Sequence, residues 1–355
     1  MKKTIVAAAV AGVLSAGAFA QNVTLAGLVD AYVGSIQYSG DKRTTKVESG
    51  GMTTSWWGME GSEDLGGGLK AGFNIKGFFR GDSGAFGRFG GNENMFSRDA
   101  NVSLAGGFGK VTVGRGLAPN FLPTVIFNAF GDSFAFSPIV LHANVPLFNG
   151  TGWQSVNAGD TGWSNEVIYS TPNFGGLSAN VHYQLGEVAG NSSNRNFGAN
   201  FLYFTKGFAL GGFAHSVRAN NPNAGTVGDV KPGFSQQKAW MLAGKAGVGP
   251  ANVYAQYEVA KNDNYAGPAG TAESKTWSVS ADMAAGPGKV LAGFANTKWT
   301  TSPTSARNGS KRDTFTLGYD YTLSKRTDAY AMLMNDKITG YDRGNSFAVG
   351  LRHKF

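Results

Sequence analysis

Apolar residues in this chain recur at every second position, most clearly in the stretch "FAVGLRHKF" at 347–355. The odd positions there carry Phe, Val, Leu, His and Phe, whereas the even positions carry Ala, Gly, Arg and Lys. This period is that of a β-strand with one apolar and one polar face. The same alternation returns at 314–323. A soluble β-sandwich would show it too, so other features must identify the compartment.

The first twenty residues, "MKKTIVAAAVAGVLSAGAFA", have the form of a secretory signal peptide. Two lysines precede an apolar run, and a small-x-small site predicts cleavage after Ala20. A membrane anchor is the alternative, but the run is short and ends in a cleavage signature. We therefore expect an exported mature chain, residues 21–355, with two fewer positive charges than the +8 of the full sequence.

Composition indicates an all-β protein. The chain has no cysteine, so disulfides contribute nothing to its stability. It contains 53 glycines, 25 phenylalanines and 12 tyrosines, a mixture typical of aromatic strands separated by many turns. Beyond the signal there is no apolar run of helix-spanning length, and the mean hydropathy is −0.17. Strands that alternate between lipid and lumen average to such a neutral value.

Short glycine-rich turns and longer polar segments alternate along the chain. Seven short turns, such as "EDLGGG" at 63–68 and "GGFG" at 106–109, separate pairs of strands. Counting the strands that flank turns and long segments gives a 16-stranded antiparallel transmembrane β-barrel. Closure is favoured over stacked sheets because it removes every sheet edge and lets one face meet lipid.

Several motifs together resemble the Gram-negative general porins, most closely their betaproteobacterial branch. They are "VTLAGLVDAYVG", "GSEDLGGGLKAGF", "VSLAGGFGKVTVGRG", "YSTPNFGGL", "YTLSKRTDAY" and the terminal "GLRHKF". The resemblance implies an outer-membrane homotrimer among lipopolysaccharide, through which small hydrophilic solutes and ions diffuse passively. It also implies that Phe355 belongs to the signal read by the barrel-assembly machinery, although a simple lipid-facing aromatic is compatible with that role.

The segment 117–164 is too long for a plain hairpin loop, and loops of that length are usually functional. In the resembled family the third long loop folds into the lumen and narrows the pore, with acidic loop residues facing arginines on the wall. Arg115, in "VGRG", matches the wall arginine, with a purely loop-anchoring role as the alternative. Asp132, in "FGDSF", is the candidate counter-charge, with a solvated loop acid as the alternative.

The chain departs from the family pattern before "EDLG". It reads "SWWGMEG", which places Trp56 at the position of a second wall arginine and Glu60 at a basic position. Lys76 stands where many relatives carry an acid, so Glu60 and Lys76 are expected to form a compensated pair on the inner face of one hairpin. Strand parity also directs Asp99 and Glu166 inward. This mixed lumen leaves anion and cation selectivity open.

The long loop is rich in aromatic residues, and packing against the wall explains most of them. They are Phe121, Phe127, Phe130, Phe134, Phe136, Phe148, Trp153 and Trp163. Two alternatives to a general diffusion pore remain. Trp56 and loop aromatics could form a stacking surface that favours sugars or aromatic acids, or the barrel could be a non-conducting adhesin or envelope anchor.

Other classes of function find no support in the residue pattern. The four histidines are scattered, with no ordering that suggests a catalytic triad or a metal site. We therefore expect no enzyme, no cofactor and no metal. The sequence pI near 9.5 does not indicate nucleic-acid binding, because the basic residues do not cluster in one segment and the chain is expected to be exported.

Overall fold

The computed structural model describes residues 22–88, 93–145, 156–158, 160–187, 189–190, 195–218, 235–263, 271–301 and 309–355. The predicted signal peptide and the loop residues Phe148 and Trp153 lie outside these ranges. Among the described residues, no helix has the length and apolar character needed to cross a bilayer.

Seventeen strands are present in the described part of the chain. The first nine are β1 (Asn22–Ile36), β2 (Thr44–Ser49), β3 (Trp56–Gly66), β4 (Leu69–Phe78), β5 (Asp99–Gly106), β6 (Gly109–Leu117), β7 (Gly162–Ser170), β8 (Leu177–Gln184) and β9 (Asn196–Phe204). The others are β10 (Phe208–Val217), β11 (Gln236–Val248), β12 (Ala251–Asp263), β13 (Thr271–Ala285), β14 (Gly288–Thr301), β15 (Lys311–Thr322), β16 (Thr327–Ile338) and β17 (Gly344–Lys354). Two short helices, α1 (Phe121–Ile126) and α2 (Pro138–Ala143), lie between β6 and β7.

The strands form one closed antiparallel barrel. β1 pairs with β17 from Leu28 opposite Lys354 to Ser35 opposite Phe347, which joins the two ends of the sheet. β2 and β3 both pair with β1, along different halves of its length, so they are two parts of one interrupted barrel strand. The barrel therefore has the sixteen strands that the sequence predicts.

The backbone pairing at this seam continues to the last residue. Phe355 donates its N–H to the carbonyl of Gly27 at 3.1 Å and accepts from the Gly27 N–H at 3.2 Å. A Cβ at position 27 would lie 2.3 Å from Cζ of the Phe355 ring, so the ring covers a position that only glycine leaves open. The terminal aromatic thus closes one end of the seam.

The predicted alternation of faces is confirmed on β17. Phe347, Val349 and Leu351 are exposed on the outside, whereas Ala348 is fully buried and Ser346 almost so. An outward apolar row is what a lipid-facing wall requires, because the hydrocarbon around it takes the place of a protein core.

One tight turn shows why the predicted short connections are rich in glycine. Gly66, Gly67 and Gly68 have φ values of +82°, +61° and +81°. Side chains with a Cβ rarely adopt these values, so three consecutive glycines allow β3 to reverse directly into β4.

The interruption between β2 and β3 is held by a buried carboxylate. Asp30, on β1, accepts hydrogen bonds from the backbone N–H groups of Gly51, Met52 and Thr53 at 3.0, 2.8 and 2.9 Å. It also accepts one from the Tyr330 hydroxyl at 2.6 Å. Charge-assisted bonds of this kind replace the sheet pairing that residues 50–55 lack.

The hydrophobic core lies inside the barrel, between the long loop and the wall. Phe130, Phe136 and Leu141 of the loop are buried against wall residues such as Tyr32 and Met332. The Tyr32 and Phe136 rings meet edge to face at 5.5 Å between centroids. The prediction that the third loop folds into the lumen is therefore confirmed.

Polar contacts fix the far end of the loop as well. Both ring nitrogens of His142 in α2 lie 2.8 Å from wall hydroxyls, one from Thr297 and the other from Thr314. Arg312 pairs with Asp336 at 2.9 Å and donates to the carbonyl of Leu141 at 3.0 Å. Burial, and after it the nearby Arg312 charge, lowers the pKa of His142 well below the ordinary 6.5. The docked imidazole is neutral.

We expect docking of the loop to weaken in acid. Released His142 would bind a proton near its ordinary pKa while the docked ring would not, so the stability from this group is complete above that pKa and declines as pH falls below it. The undocked population should rise by at most about tenfold per pH unit. Single-channel current noise, recorded at pH 7.5 and at pH 5, measures the population of channels with an undocked loop.

The matched variants are His142→Gln and His353→Gln, since His353 is exposed at the opposite end of the barrel. His142→Gln should remove part of the acid-induced noise and His353→Gln should not. Equal noise in all three proteins would contradict the account.

Candidate functional site

A narrow space remains where the loop approaches strands β3 to β6, and we call it the eyelet. It encloses about 410 Å³, including volume open to the channel. Its lining includes Phe78, Arg98, Arg115, Phe121, Asp132 and Phe134. The two sides thus come from the loop and from the wall, as the sequence predicts for a constriction.

An arginine that the sequence analysis did not single out forms the wall side. The guanidinium carbon of Arg98 lies 4.0 Å from the centre of the Trp56 ring and 5.9 Å from that of Phe78. A cation over an aromatic face is attracted by the ring electrons. Trp56 therefore positions Arg98, and one face of its ring is covered.

Arg98 comes directly before β5, and its charge neighbours are carboxylates. Its Nε lies 3.5 Å from Oδ2 of Asp99. Burial lowers the pKa of Arg98, while Asp99, Asp132 and Glu60 oppose that effect. Guanidinium stays charged under all ordinary conditions, so Arg98 is a permanent cation facing acidic groups.

The expected pair on the β3–β4 hairpin is present. Lys76 Nζ lies 2.5 Å from Oε2 of Glu60, on the inner face that strand parity predicts. The Glu60 side chain is 49% exposed, so water screens the pair and its net contribution to stability is small. Lys76 also lies 5.6 Å from the centre of the Trp56 ring, which places it beside Arg98.

Asp132 provides a carboxylate on the loop side. It accepts a hydrogen bond from the Thr53 hydroxyl at 3.0 Å, and the same hydroxyl accepts one from Arg352 at 3.0 Å. Burial raises the pKa of Asp132, although the Thr53 hydrogen bond and then the charges of Arg98 and Arg352 oppose this. The loop carboxylate therefore faces cations from two parts of the wall.

Arg352, on the last strand, connects this group to the acids of β15 and β16. Its Nε lies 3.0 Å from Asp328 Oδ1 and its Nη2 lies 3.4 Å from Asp320 Oδ2. These contacts join the final strand, the strand break at Thr53 and the tip of the loop in one hydrogen-bonded chain.

Arg115 lies at the base of the loop, where it is 8% exposed. Its guanidinium donates to the carbonyls of Ser97 and Gly162 at 2.5 and 3.3 Å and to the Ser164 hydroxyl at 3.0 Å. It also lies 3.4 Å from Asp160. These contacts hold the two ends of the loop together, and the field-bearing role that the resemblance implies for Arg115 stays a prediction.

Asp160 connects Arg115 to a second buried ion pair. It lies 2.9 Å from Arg88, which is in turn 2.5 Å from Glu93. Burial alone would raise the pKa of Asp160, but the charge and hydrogen bonds of Arg88 hold it at about 2. The base of the loop is therefore held by a buried cluster of ion pairs, and Arg115 of this cluster also lines the eyelet.

Glu166 is inward, as strand parity predicts, and lies beneath the loop. It is 1% exposed, and its Oε2 lies 3.3 Å from Nδ1 of His182. The Trp163 ring meets His182 at 6.2 Å between centroids. Of the predicted site residues, Asp132 and Arg115 line the eyelet itself. Trp56 and Asp99 adjoin it through their contacts with Arg98, and Lys76 with its partner Glu60 adjoins Trp56. Glu166 is not part of the lining.

A family model described as Gram-negative porin matches residues 4–341. The chain belongs to the Gram-negative porin family. This porin lies in the outer membrane and forms a water-filled channel for the passive diffusion of small hydrophilic solutes and ions. It is a channel protein, and within the described residues no group of histidine and acidic side chains could hold a metal ion.

Two curated relatives and one solved structure illustrate the similarity. Outer membrane porin protein 32 of Delftia acidovorans is 35% identical over 189 residues, which are 53% of this chain and 50% of that protein. Major outer membrane protein P.IB of Neisseria meningitidis serogroup B is 27% identical over the full length of both chains. The anion-selective porin from Comamonas acidovorans superposes with a TM-score of 0.73 at 25% identity, over 94% of this chain and all of that one.

We expect Arg115 and Arg98 of this porin to differ in what they contribute. Arg115→Gln breaks a buried network and should lower the free energy of unfolding by about 3 kcal/mol. Arg98→Gln removes a partly exposed cation and should change stability by less than about 1 kcal/mol. The temperature at which the folded barrel converts to the unfolded form on a semi-native gel measures the change in stability of each variant. Equal conversion temperatures for the two variants would contradict the structural role of Arg115.

Proposed function

We propose that this porin is a weakly cation-preferring channel, with Arg98 and Asp132 as the opposed charges of its constriction. The observation that carries the proposal is the balance of charge at the eyelet. In and around it the described residues include the five cations Lys76, Arg98, Arg115, Lys289 and Arg352 and the six carboxylates Glu60, Asp99, Asp132, Asp160, Asp320 and Asp328. Residues 146–155 and 159 of the loop carry no charge in the sequence.

The arrangement of these charges supports a transverse field. Lys76 and Arg98 lie together on the β3–β5 wall with Trp56, while Asp132 projects from the loop on the other side of the eyelet. Within a narrow aqueous channel, fixed opposite charges orient polar solutes and an excess of one sign favours the opposite ion. Carboxylates are in excess here, so cations are favoured.

The Comamonas relative is an anion-selective porin, and this chain has a net positive charge. That positive charge is not concentrated at the eyelet, since five of the lysines are exposed on the outer face of strands β11 to β15. The net charge of the chain would suggest a preference for anions, whereas the charges beside the eyelet favour cations. The aromatic-eyelet alternative has less support, because Arg98 covers one face of the Trp56 ring.

We further infer that the porin works without catalysis and assembles as a homotrimer, with the barrel-assembly machinery and lipopolysaccharide as its other partners. The outer face of strands β1 to β6 supports the trimer. It exposes small aliphatic residues in place of a dense aromatic belt, as expected of a wall that packs against protein: Val23, Leu25, Val33, Val47, Val102 and Val113.

The selectivity proposal predicts opposite effects for the two opposed charges. Removing one unit charge about 8 Å from a passing ion in water changes its energy by about 0.5 kcal/mol. Asp132→Asn should therefore lower the ratio of potassium to chloride permeability roughly two- to fivefold, and Arg98→Gln should raise it by a similar factor. Reversal potentials in a KCl gradient measure the ratio.

Asp342→Asn is the matched control, because Asp342 is an exposed carboxylate outside the eyelet, and it should leave the ratio unchanged. Because burial raises the pKa of Asp132, acid should lower the cation preference at a higher pH than for an ordinary aspartate. A wild-type channel that prefers chloride at neutral pH would overturn the proposal.

The trimer is tested separately on the outer wall. Val33→Arg and Val47→Arg place charges in the predicted interface and should convert trimers to monomers, while Leu242→Arg on the opposite wall should leave trimers intact. Native mass spectrometry in detergent measures the oligomeric state. Trimers in all three variants would contradict this interface.

A further inference from the structure

Five lysines form a continuous row on the outer face of the barrel, and we call them the lysine row: Lys238, Lys261, Lys275, Lys298 and Lys311. They occupy the adjacent strands β11 to β15, and each side chain is exposed. Their inward-facing sequence neighbours, such as Gln237, Asn262 and Thr297, are almost completely buried. The lysines therefore project away from the pore.

The strand register places these like charges opposite one another. Lys238 is paired with Lys261, and Lys298 is paired with both Lys275 and Lys311. Side chains directly opposite on one sheet face have Cβ atoms about 5 Å apart, and like charges there destabilise the sheet. A row with three such pairs costs the barrel stability unless anions compensate it.

The protein itself compensates the row only in part. Glu273 is opposite Lys261 in the strand register and lies 3.2 Å from Lys275, so one carboxylate serves two lysines. Its pair with Lys275 is largely exposed and therefore weak. Asp263 and Asp313 are the other carboxylates on this rim, and Asp313 is paired in register with Lys337, a further lysine. Positive charge remains in excess on this face among the described residues.

The depth of the row in the membrane identifies what can neutralise it. Two residues closer to the bilayer centre, Trp240 and Trp277 are exposed on the same face as Lys238 and Lys275. Tyr257 and Phe294 pack against these tryptophans, with ring centroids at 5.9 and 5.3 Å. Such an aromatic belt marks the membrane interface. Two strand residues span about 7 Å, so the lysines lie at headgroup depth.

The row also lies at the end of the barrel with the long loops, which is the outer end of a porin. Its five strands span about 19 Å between the first and the last. The proposed trimer interface lies on strands β1 to β6, on another part of the wall, so a second copy of this chain does not cover the row. The occupant must be anionic, lipid-embedded and confined to the outer leaflet.

We propose that the lysine row binds the phosphate groups of a phosphorylated glycolipid in the outer leaflet, of the kind that lipopolysaccharide supplies. Lysine ammonium groups attract phosphate as compact point charges. The inference deepens the proposal that lipopolysaccharide is a partner, because it assigns the contact to named residues on one side of the barrel.

The test compares two double variants that lose the same charge. Lys298→Gln with Lys311→Gln removes the β14–β15 end of the row and two of its three like-charge pairs. Lys206→Gln with Lys325→Gln removes two exposed lysines from short turns at the other end of the barrel. Native mass spectrometry in mixed micelles measures retention of bisphosphorylated lipid A, of the same lipid without phosphates, and of inorganic phosphate.

The row variant should retain bisphosphorylated lipid A about tenfold less than wild type, and the turn variant should retain it as wild type does. A second measurement excludes misfolding as the cause. Without lipid, loss of the repulsive pairs should raise the unfolding temperature of the row variant above that of wild type. Addition of lipid A should raise the unfolding temperature of wild type by more than that of the row variant.

Equal retention by both variants, equal retention of the phosphate-free lipid, or retention of inorganic phosphate alone would overturn the proposal. If the row variant retains as much bisphosphorylated lipid A as wild type, lipopolysaccharide stays a proposed partner but these residues do not bind it. Reversal potentials of the row variant should equal those of wild type, so failure here is distinguishable from failure of the proposed selectivity.

Discussion

Every backbone N–H and C=O group in the membrane must find a partner within the protein, and the closed ring of strands meets that requirement. The pairing of β1 with β17 is the step that completes it, and the last residue takes part through its two hydrogen bonds with Gly27. Once the ring is closed, its outer face needs only apolar contact with lipid. The inner face is then free to carry charge, and the long loop can use it as a docking surface.

The loop is held by apolar packing along most of its length and by polar contacts at both ends. Phe130 and Phe136 provide the packing, while His142 anchors one end to the wall. The ion cluster of Arg115, Asp160 and Arg88 holds the base. The eyelet lies between these anchors, and Arg115 of the base cluster is also part of its lining. The charges that hold the loop and the charges that line the eyelet therefore meet at Arg115.

Periodicity was enough to predict most of this architecture. It predicted the inward faces of Glu60, Lys76 and Glu166, because a residue period of two determines which face a side chain takes. The alternation of short turns and long segments predicted the strand count, and departures from the family pattern drew attention to the pairing of Glu60 with Lys76. Family resemblance added the inward fold of the loop. Both kinds of reasoning depend on regular strands or on aligned motifs.

Irregular backbone accounts for what the sequence analysis missed. A bulge between Gly114 and Gly116 shifts the register on β6, so parity could not say which contacts Arg115 makes. Arg98 lies just outside β5, where alternation no longer applies, and only its position next to Asp99 could have drawn attention to it. The break at residues 50–55 has no apolar pattern, and its partner Asp30 is distant in the sequence.

The hydrogen-bonded group at the strand break has a consequence for the order of events during assembly. Asp30 belongs to the first strand, Tyr330 and Arg352 to the last two, and Thr53 and Asp132 to the segments between. Their contacts exist only when both ends of the chain have met. An open sheet in the course of insertion lacks this network, so the charged groups beside the eyelet come together only as the wall becomes continuous.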